Sequence, residues 1–319
     1  MFKTTLDFLN FAFANFSFLF SLIFLTILSV TFSKSIKQHA KIYYWIVGAI
    51  CLSFTIPVIL KAFKIMMPSI MSVPVIGGIA GELSNAATFL HPVLVIIMFM
   101  GAFSPKIPSV GKLMSIRKEL SILVGFPFFA HISKRLFHTF PHSWDFFMNY
   151  EESIASPRVL SPIGNTIEHA VFVLGVVMTV LFLVLWITSF GSIHRKLGAK
   201  KWKSVQRWSY ALYAMLYIHS VGMQVNSLMN YNAQQTMIKN GVKTELVGKD
   251  AHGATDKKGE KASSGGHHGP KRFSFADIKI NEGTKATMNI AIYSIIYGSY
   301  LYLRIRKAKK DRQRKQGRK

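Results

Sequence analysis

Seven apolar stretches dominate this sequence and leave few folds open to it. The clearest, AVFVLGVVMTVLFLVLWITSF at 170–190, contains no charged residue. A helix needs about 20 apolar residues to cross a bilayer, and backbone in lipid must satisfy its own hydrogen bonds. The stretches therefore predict an all-α integral membrane protein, a seven-helix transmembrane bundle. The predicted spans are residues 11–32, 42–62, 84–103, 119–137, 162–190, 207–228 and 286–303.

The composition supports this class. Half of the 319 residues are hydrophobic, and the net charge of +25 is carried mainly by short loops and the tail, a placement that argues against a nucleic-acid partner. The single cysteine, Cys51, excludes a disulfide within the chain and a thiolate metal site. Residues 11–32 are too long and apolar for a signal-peptide core, so we expect a retained first helix.

Basic residues cluster after the first, third and fifth spans and in the tail, and with seven spans all four clusters lie on one face. Cytoplasmic loops carry an excess of Lys and Arg, which predicts an N-terminus outside and a cytoplasmic C-terminus. The clusters are Lys34, Lys37 and Lys41; Lys106, Lys112, Arg117 and Lys118; Arg195, Lys196, Lys200, Lys201, Lys203 and Arg207; and the tail from Arg304.

The spans divide the chain into four segments. Residues 1–83 hold two N-terminal helices and an outer loop, 84–228 form a four-helix core, and 286–319 hold the last helix and a basic cytoplasmic tail. Residues 229–285 are predicted to form a flexible extracytoplasmic loop, because their middle part is rich in Gly, Lys, Ser and His and has almost no apolar residues. His267 and His268 in that loop fit a solvated linker better than a metal site.

His131 and His219 lie inside predicted spans, where ionisable side chains are costly and by default indicate function. His131 lies ~20 Å of helix beyond Lys118, and His219 lies ~18 Å beyond Arg207. The two spans run in the same direction, so both imidazoles are expected at one depth in the outer half of the membrane. This arrangement favours bis-histidine ligation of one b-type haem. The alternative is a pair of hydrogen-bonded core histidines.

Four other residues are candidates for the same site. Lys134 and Arg135 follow His131 by one turn and are predicted to pair with haem propionates, although snorkelling at a helix end explains them as well. His91 has a matching depth and either ligates haem, lies beside it, lines a quinone pocket or has a structural role.

Glu168 and His169 lie near the outer end of the fifth span, where they form a possible quinone or proton-relay site. The simpler alternative for Glu168 is a favourable interaction with the helix dipole. No glycine-rich nucleotide loop after a strand, Walker motif, HExxH or nucleophile elbow occurs in the sequence.

Two motifs resemble the ferric-reductase-like transmembrane family, most closely its branch of haem-binding membrane subunits of the periplasmic methionine sulfoxide reductase system. One is TSFGSIHRKLGAKKWKSVQRWSYALYAMLYIHS at 188–220, and the other is IRKELSILVGFPFFAH at 116–131. The matching positions of the first motif are Thr188, Ser189, Arg195, Lys196, Leu197, Gly198, Trp202, Tyr210 and His219.

The resemblance implies His131 and His219 as haem ligands. The chain departs from the family at Gln206, where a second histidine often stands, and at Arg117 or Lys118, where its partner is expected. We therefore expect one outer haem and no inner haem.

The implied function is that of an oxidoreductase electron-transfer subunit in a bacterial inner membrane. It would pass electrons from quinol or a flavin donor, with FMN or quinone as a possible second cofactor, to an extracytoplasmic partner protein. In the most similar branch that partner is a molybdopterin methionine sulfoxide reductase. The alternatives are a ferric or metal-ion reductase of the same fold, a proton-coupled transporter with intramembrane histidines, and a scaffold subunit.

Overall fold

The computed structural model describes residues 2–65, 74–156, 159–240 and 280–316, and every regular element in those ranges is a helix. Two π-helical turns, Ala86–Leu90 and Arg135–Thr139, interrupt the α-helical segments. The α-helices are α1 (Phe2–Thr31), α2 (Ser33–Gln38), α3 (Ala40–Ala62), α4 (Pro74–Ser84), α5 (His91–Met100), α6 (Pro108–Ser115), α7 (Arg117–Leu123), α8 (Gly125–Lys134), α9 (Phe140–Met148), α10 (Tyr150–Ala155), α11 (Pro162–Ile187), α12 (Gly191–Gln206), α13 (Ser209–Lys239) and α14 (Glu282–Gln316).

Four helical segments are long and apolar enough to cross a membrane. They are Asp7–Thr31, Ala40–Lys61, Arg117–Met148 and Pro162–Ile187. These segments correspond to the first, second, fourth and fifth predicted spans. They fit a multi-pass membrane protein and confirm the all-α part of the predicted fold.

The other three predicted spans are also helical, but none combines sufficient length with sufficient hydropathy. The third corresponds to the shorter apolar helix Ala86–Met100, and the sixth and seventh correspond to α13 and α14. Polar side chains lower the hydropathy of these two long helices, and some of them pair across the contact. Tyr217 Oη lies 3.1 Å from Ser294 Oγ, and Asn289 donates to Gln224 Oε1 over 3.2 Å. Hydrogen bonds of this kind stabilise the packing of membrane helices. Seven crossings and their orientation stay predictions, because only four of the described helical segments are long and apolar enough to cross a membrane.

The predicted bounds of the flexible loop, 229–285, were wrong at both ends. Helix α13 continues to Lys239, and α14 begins at Glu282. A helix does not need apolar residues to continue, and the Asn230 amide donates to Asn226 Oδ1 one turn earlier, at 2.8 Å. The central part, 241–279, with His267 and His268, lies outside the described residues.

Helix α5 forms the centre of the bundle. All of its residues except Phe99 are buried, and it packs against α1, α6 and α7. A helix that is apolar all round belongs in an interior. By contrast, α1, α3 and α11 turn large apolar side chains outward, including Ile27, Trp45 and Val180. Exposed apolar faces of this extent indicate a bilayer environment.

The fourth predicted span is interrupted at Val124, between α7 and α8. Pro127 lies in the first turn of α8, where a missing N–H is tolerated. At the break the Trp186 indole of α11 donates to the carbonyl of Ile122 over 3.0 Å. A Cβ atom on Gly125 would lie 2.0 Å from Trp186 Nε1, so this glycine allows α11 to approach the break.

Candidate functional site

A cavity of about 240 Å³ lies among α8, α11, α13 and the segment around His91. His91, His131 and His219 all line it. Most of the remaining wall is apolar. These apolar residues include Leu90, Phe128, Ile132, Leu136, Phe172, Val176, Met178, Leu216 and Met223.

The two predicted ligands have the same hydrogen-bonding arrangement. His131 Nδ1 lies 3.1 Å from the carbonyl oxygen of Ser84, and His219 Nδ1 lies 2.8 Å from that of Val171. A carbonyl oxygen only accepts, so each Nδ1 must carry the proton. In the neutral imidazole the lone pair is then on Nε2, which is the form that binds a metal. Such a second hydrogen bond also fixes the orientation of a ligating ring.

Close helix packing sets the position of His219. A Cβ atom on Gly222 would lie 2.5 Å from Val171 Cγ1, so the glycine lets α13 approach α11. This approach brings His219 to the carbonyl of Val171. Gly175 lies one turn further along α11, where a Cβ would be 3.8 Å from His219 Cε1, and it leaves the cavity side of that imidazole uncrowded.

His91 is held differently from the other two. Its side chain is buried, with Nε2 at 2.8 Å from Tyr297 Oη and Nδ1 at 3.3 Å from Ser220 Oγ. The ring of Tyr293 stacks on the imidazole with centroids 5.2 Å apart. Because both nitrogens have protein partners, the structure favours the structural alternative for His91 over haem ligation.

Arg135 lies in the cavity wall, and its guanidinium lies over the ring of Phe172, 5.4 Å from the centroid. It follows His131 by four residues, and so reaches the same face of the helix. The structure thus places a cation beside the predicted ligands. The side chain of Lys134 lies outside the described residues.

Glu168 and His169 do not meet as a relay pair. Asn226 donates to Glu168 Oε2 over 2.7 Å, whereas His169 Nδ1 lies 3.0 Å from Ser143 Oγ. Successive residues of a helix point ~100° apart, which directs the two side chains to different neighbours. The ring of Phe146 stacks on His169 with centroids 4.1 Å apart.

The residues expected at the inner haem position surround a second cavity of about 640 Å³. Arg117, Lys118 and Gln206 all line it. The Gln206 amide donates to Thr188 Oγ1 over 2.9 Å, so this side chain ties the α12–α13 junction to the end of α11. Within the described ranges, no group of three or more His, Cys, Asp or Glu residues is placed to hold a metal ion.

Sequence reasoning missed Tyr297 and Ser220, the partners of His91. Tyr297 is 206 positions away from His91, and no local pattern predicts such a contact. A weak signal existed in α14, where Tyr293, Tyr297 and Tyr300 follow at helical spacing and so share one face.

An uncharacterized protein of Treponema pallidum (strain Nichols) is 26% identical to the chain over 211 residues. The alignment covers 64% of this chain and 50% of that protein, so the chain spans about half the length of this relative. No family model and no solved structure matches the chain.

Proposed function

We propose that the chain is a b-type haem subunit that transfers electrons across a bacterial inner membrane. His131 and His219 would hold the haem iron. The observation that carries the proposal is that both line one cavity and both direct Nδ1 to a main-chain carbonyl. The tautomer that these bonds require carries the lone pair on Nε2, the form of imidazole that binds a metal, in two side chains on separate helices.

The residues around the cavity fit a haem. The iron needs only two protein ligands, since the porphyrin supplies the other four, so a cluster of three ligands is not required. The apolar wall suits the macrocycle, and Arg135 supplies a cation for a propionate. A bound haem of this kind carries one electron between its ferric and ferrous states.

The protein's own contribution is positioning and electrostatics. The carbonyls of Ser84 and Val171 orient the two imidazoles and raise their basicity as donors to iron. Phe128 and Phe172 supply aromatic surface to the wall of the site. In the proposed seven-span topology, with the N-terminus outside and the C-terminus cytoplasmic, the site lies in the outer half of the membrane.

That depth determines the donor and acceptor in the proposal. A soluble cytoplasmic donor is ~20 Å of helix away, so quinol or a flavin-bearing partner in the membrane is the donor. The acceptor is an extracytoplasmic redox protein, with a molybdopterin methionine sulfoxide reductase as the preferred class, on the basis of the two sequence motifs. A ferric or metal-ion reductase would use the same haem site and differ only in its acceptor.

The absorption spectrum tests the proposal. The protein, purified after expression with added haem and reduced with dithionite, should show the α band of a low-spin b-type cytochrome. The band should disappear in His131→Ala and in His219→Ala and persist in His194→Ala, a histidine outside the cavity. A colourless wild-type protein, or a band that survives both ligand substitutions, would contradict it.

A second function, a proton-coupled transporter, is favoured by one observation. His91 is linked to Tyr297 and Ser220 in the wall of the same cavity, and a proton relay uses groups of this kind. This function predicts a colourless protein whose proton-coupled transport in proteoliposomes depends on His91. The same purified sample therefore separates the two functions.

A further inference from the structure

The second cavity lies at the basic end of the helical bundle, about 640 Å³ in volume, between α5, α7, α11, α12 and α13. Its rim contains four cations, Arg117, Lys118, Lys203 and Arg207. None of the described residues that line it is an Asp or Glu. Four like charges around one space repel each other, and an anion between them would relieve that repulsion.

The floor of this cavity is apolar. Leu94 and Ile97 of α5, Leu185 of α11 and Leu212 of α13 form part of it. A cationic rim above an apolar floor matches an amphiphile whose anionic group faces the rim and whose body lies on the floor.

The cations come from segments that the fold holds together. The Trp202 indole donates to the carbonyl of Thr188 over 2.9 Å, and Gln206 donates to Thr188 Oγ1. These two bonds fix α12, which carries Lys203, against the end of α11. Lys118 of α7 extends to the start of the same helix, where its Nζ would lie 3.4 Å from a Cβ on Gly191.

A second haem does not fit this cavity. His194 is the single histidine among the described residues that line it, and its ring packs on Trp202 with centroids 4.6 Å apart. A bis-histidine site needs a second imidazole on the opposite wall. At the position where the family motif predicts the partner histidine, the chain carries Arg117 or Lys118 instead.

We propose that this cavity binds the phosphate group of an anionic amphiphile. Arg117 and Arg207 contact the phosphate oxygens, for which a guanidinium offers paired donors, and Lys118 and Lys203 balance the remaining charge. The phosphate belongs either to a lipid headgroup or to a soluble phosphate ester with an apolar body. The site does not require the haem of the proposed function.

Binding is measured by tryptophan fluorescence, because Trp186 and Trp202 line the cavity. The full chain in an uncharged detergent is titrated with short-chain phosphatidylglycerol against phosphatidylcholine, and with adenosine monophosphate against adenosine. Tighter binding of phosphatidylglycerol identifies a lipid source, and tighter binding of the nucleotide identifies a soluble source. Equal binding within both pairs overturns the proposal.

Substitutions locate the binding. Arg117→Gln/Arg207→Gln should weaken binding of the successful probe at least ~10-fold, since hydrogen bonds to charged groups are worth about 1.5–3 kcal/mol. The matched control Arg195→Gln/Lys201→Gln removes two exposed cations of α12 outside the cavity and should change binding less than ~2-fold, as expected for screened surface charge. An equal loss in both pairs would show diffuse attraction and overturn the site.

A third variant covers the case in which the double substitution does not fold. Ser189→Asp keeps all four cations and adds a carboxylate to the cavity wall. It should weaken probe binding ~10-fold or more through repulsion of the phosphate, with the haem spectrum as a separate check of folding. Unchanged binding in this variant overturns the proposal whatever the state of the haem site.

Discussion

At the scale of single residues, the three histidines of the first cavity differ in their hydrogen-bond partners. His131 and His219 direct Nδ1 to carbonyl oxygens, whereas His91 has a hydroxyl group at each nitrogen. A ring whose two nitrogens are both engaged inside the protein has no donor left for a metal. This pairing makes His91 the structural residue of the set, and the tautomer of His131 and His219 keeps them as the proposed ligands.

Tyr297→Phe should destabilise the protein. The change removes the hydroxyl 2.8 Å from the buried His91 Nε2, and an unsatisfied buried polar group costs about 1–3 kcal/mol. We expect a lower midpoint of thermal unfolding in detergent and an unchanged haem spectrum. Tyr302→Phe, which changes an exposed tyrosine of the same helix, is the matched control. If the two variants have the same midpoint of thermal unfolding, the contact between Tyr297 and His91 does not stabilise the protein.

Arg135→Gln should weaken haem retention. The substitution keeps a polar side chain in the cavity wall but removes the charge that we propose pairs with a propionate, for an expected loss of ~10-fold or more in affinity. The haem transferred to apomyoglobin over time measures it. Lys41→Gln, in an exposed position of α3, should retain haem like the wild type. Loss at the same rate from Arg135→Gln and wild type would argue against a propionate contact.

The placement of His131 and His219 in one cavity agrees with the prediction from sequence, because depth along a span follows from counting residues from a basic cluster. The partners of His91 and Glu168 were not predictable. Tyr297 and Asn226 belong to other helices, and a hydrogen bond between helices depends on their rotation and separation, which residue spacing does not contain.

At the scale of elements, the contact between α11 and α13 determines the geometry of the first cavity. Gly222 faces Val171 at a distance that no larger residue allows, and the same Val171 supplies the carbonyl that orients His219. Helix packing and the orientation of the His219 imidazole therefore depend on one point of contact, as in the small-residue interfaces of membrane helices.

Gly222→Ala should disturb both properties. The new Cβ would lie 2.5 Å from Val171 Cγ1, and overpacking of this kind costs about 1–3 kcal/mol. We expect a lower unfolding midpoint and a shifted or weaker low-spin haem spectrum. Gly298→Ala is the control, because nothing lies within 4 Å of its added Cβ and alanine favours the helix by about 1 kcal/mol. If Gly298→Ala lowers the unfolding midpoint more than Gly222→Ala does, the contact between Gly222 and Val171 does not limit how closely the two helices pack.

Periodicity and hydropathy predicted the bounds of some helices better than those of others. The predicted spans around Ala40–Lys61 and Pro162–Ile187 agree closely with the structure, because a long uninterrupted apolar run predicts a membrane-spanning helix with little ambiguity. The end of α13 was misplaced, since a loss of hydropathy marks where a helix leaves lipid and not where it stops.

At the scale of the whole molecule, the outward apolar faces of α1, α3 and α11 and the buried α5 describe a bundle with lipid outside and a packed interior. Among the candidate spans, Arg117–Met148 has 53% of its apolar window buried, against 11% for Ala40–Lys61. The helix that carries His131 is therefore an interior element, and α3 is a peripheral one.

Cysteine labelling should establish the topology. In a Cys51→Ala background, Glu152→Cys and Lys200→Cys are separated by the candidate span Pro162–Ile187. In intact spheroplasts a membrane-impermeant maleimide should label Glu152→Cys, and Lys200→Cys only after lysis, because basic segments stay cytoplasmic. Labelling of both from the same side would exclude the predicted crossing, and the reverse pattern would invert the orientation.

The central position of α5 has a consequence for biogenesis. With the preceding π-helical turn it supplies an apolar segment of ~22 Å, shorter than the ~30 Å of hydrocarbon, and its side chains contact protein in place of lipid. Such a segment gains little from partitioning alone into the bilayer. We therefore expect its entry into the membrane to depend on α1 and the Arg117–Met148 segment, which pack against it, and membrane insertion and tertiary folding of this chain to be coupled.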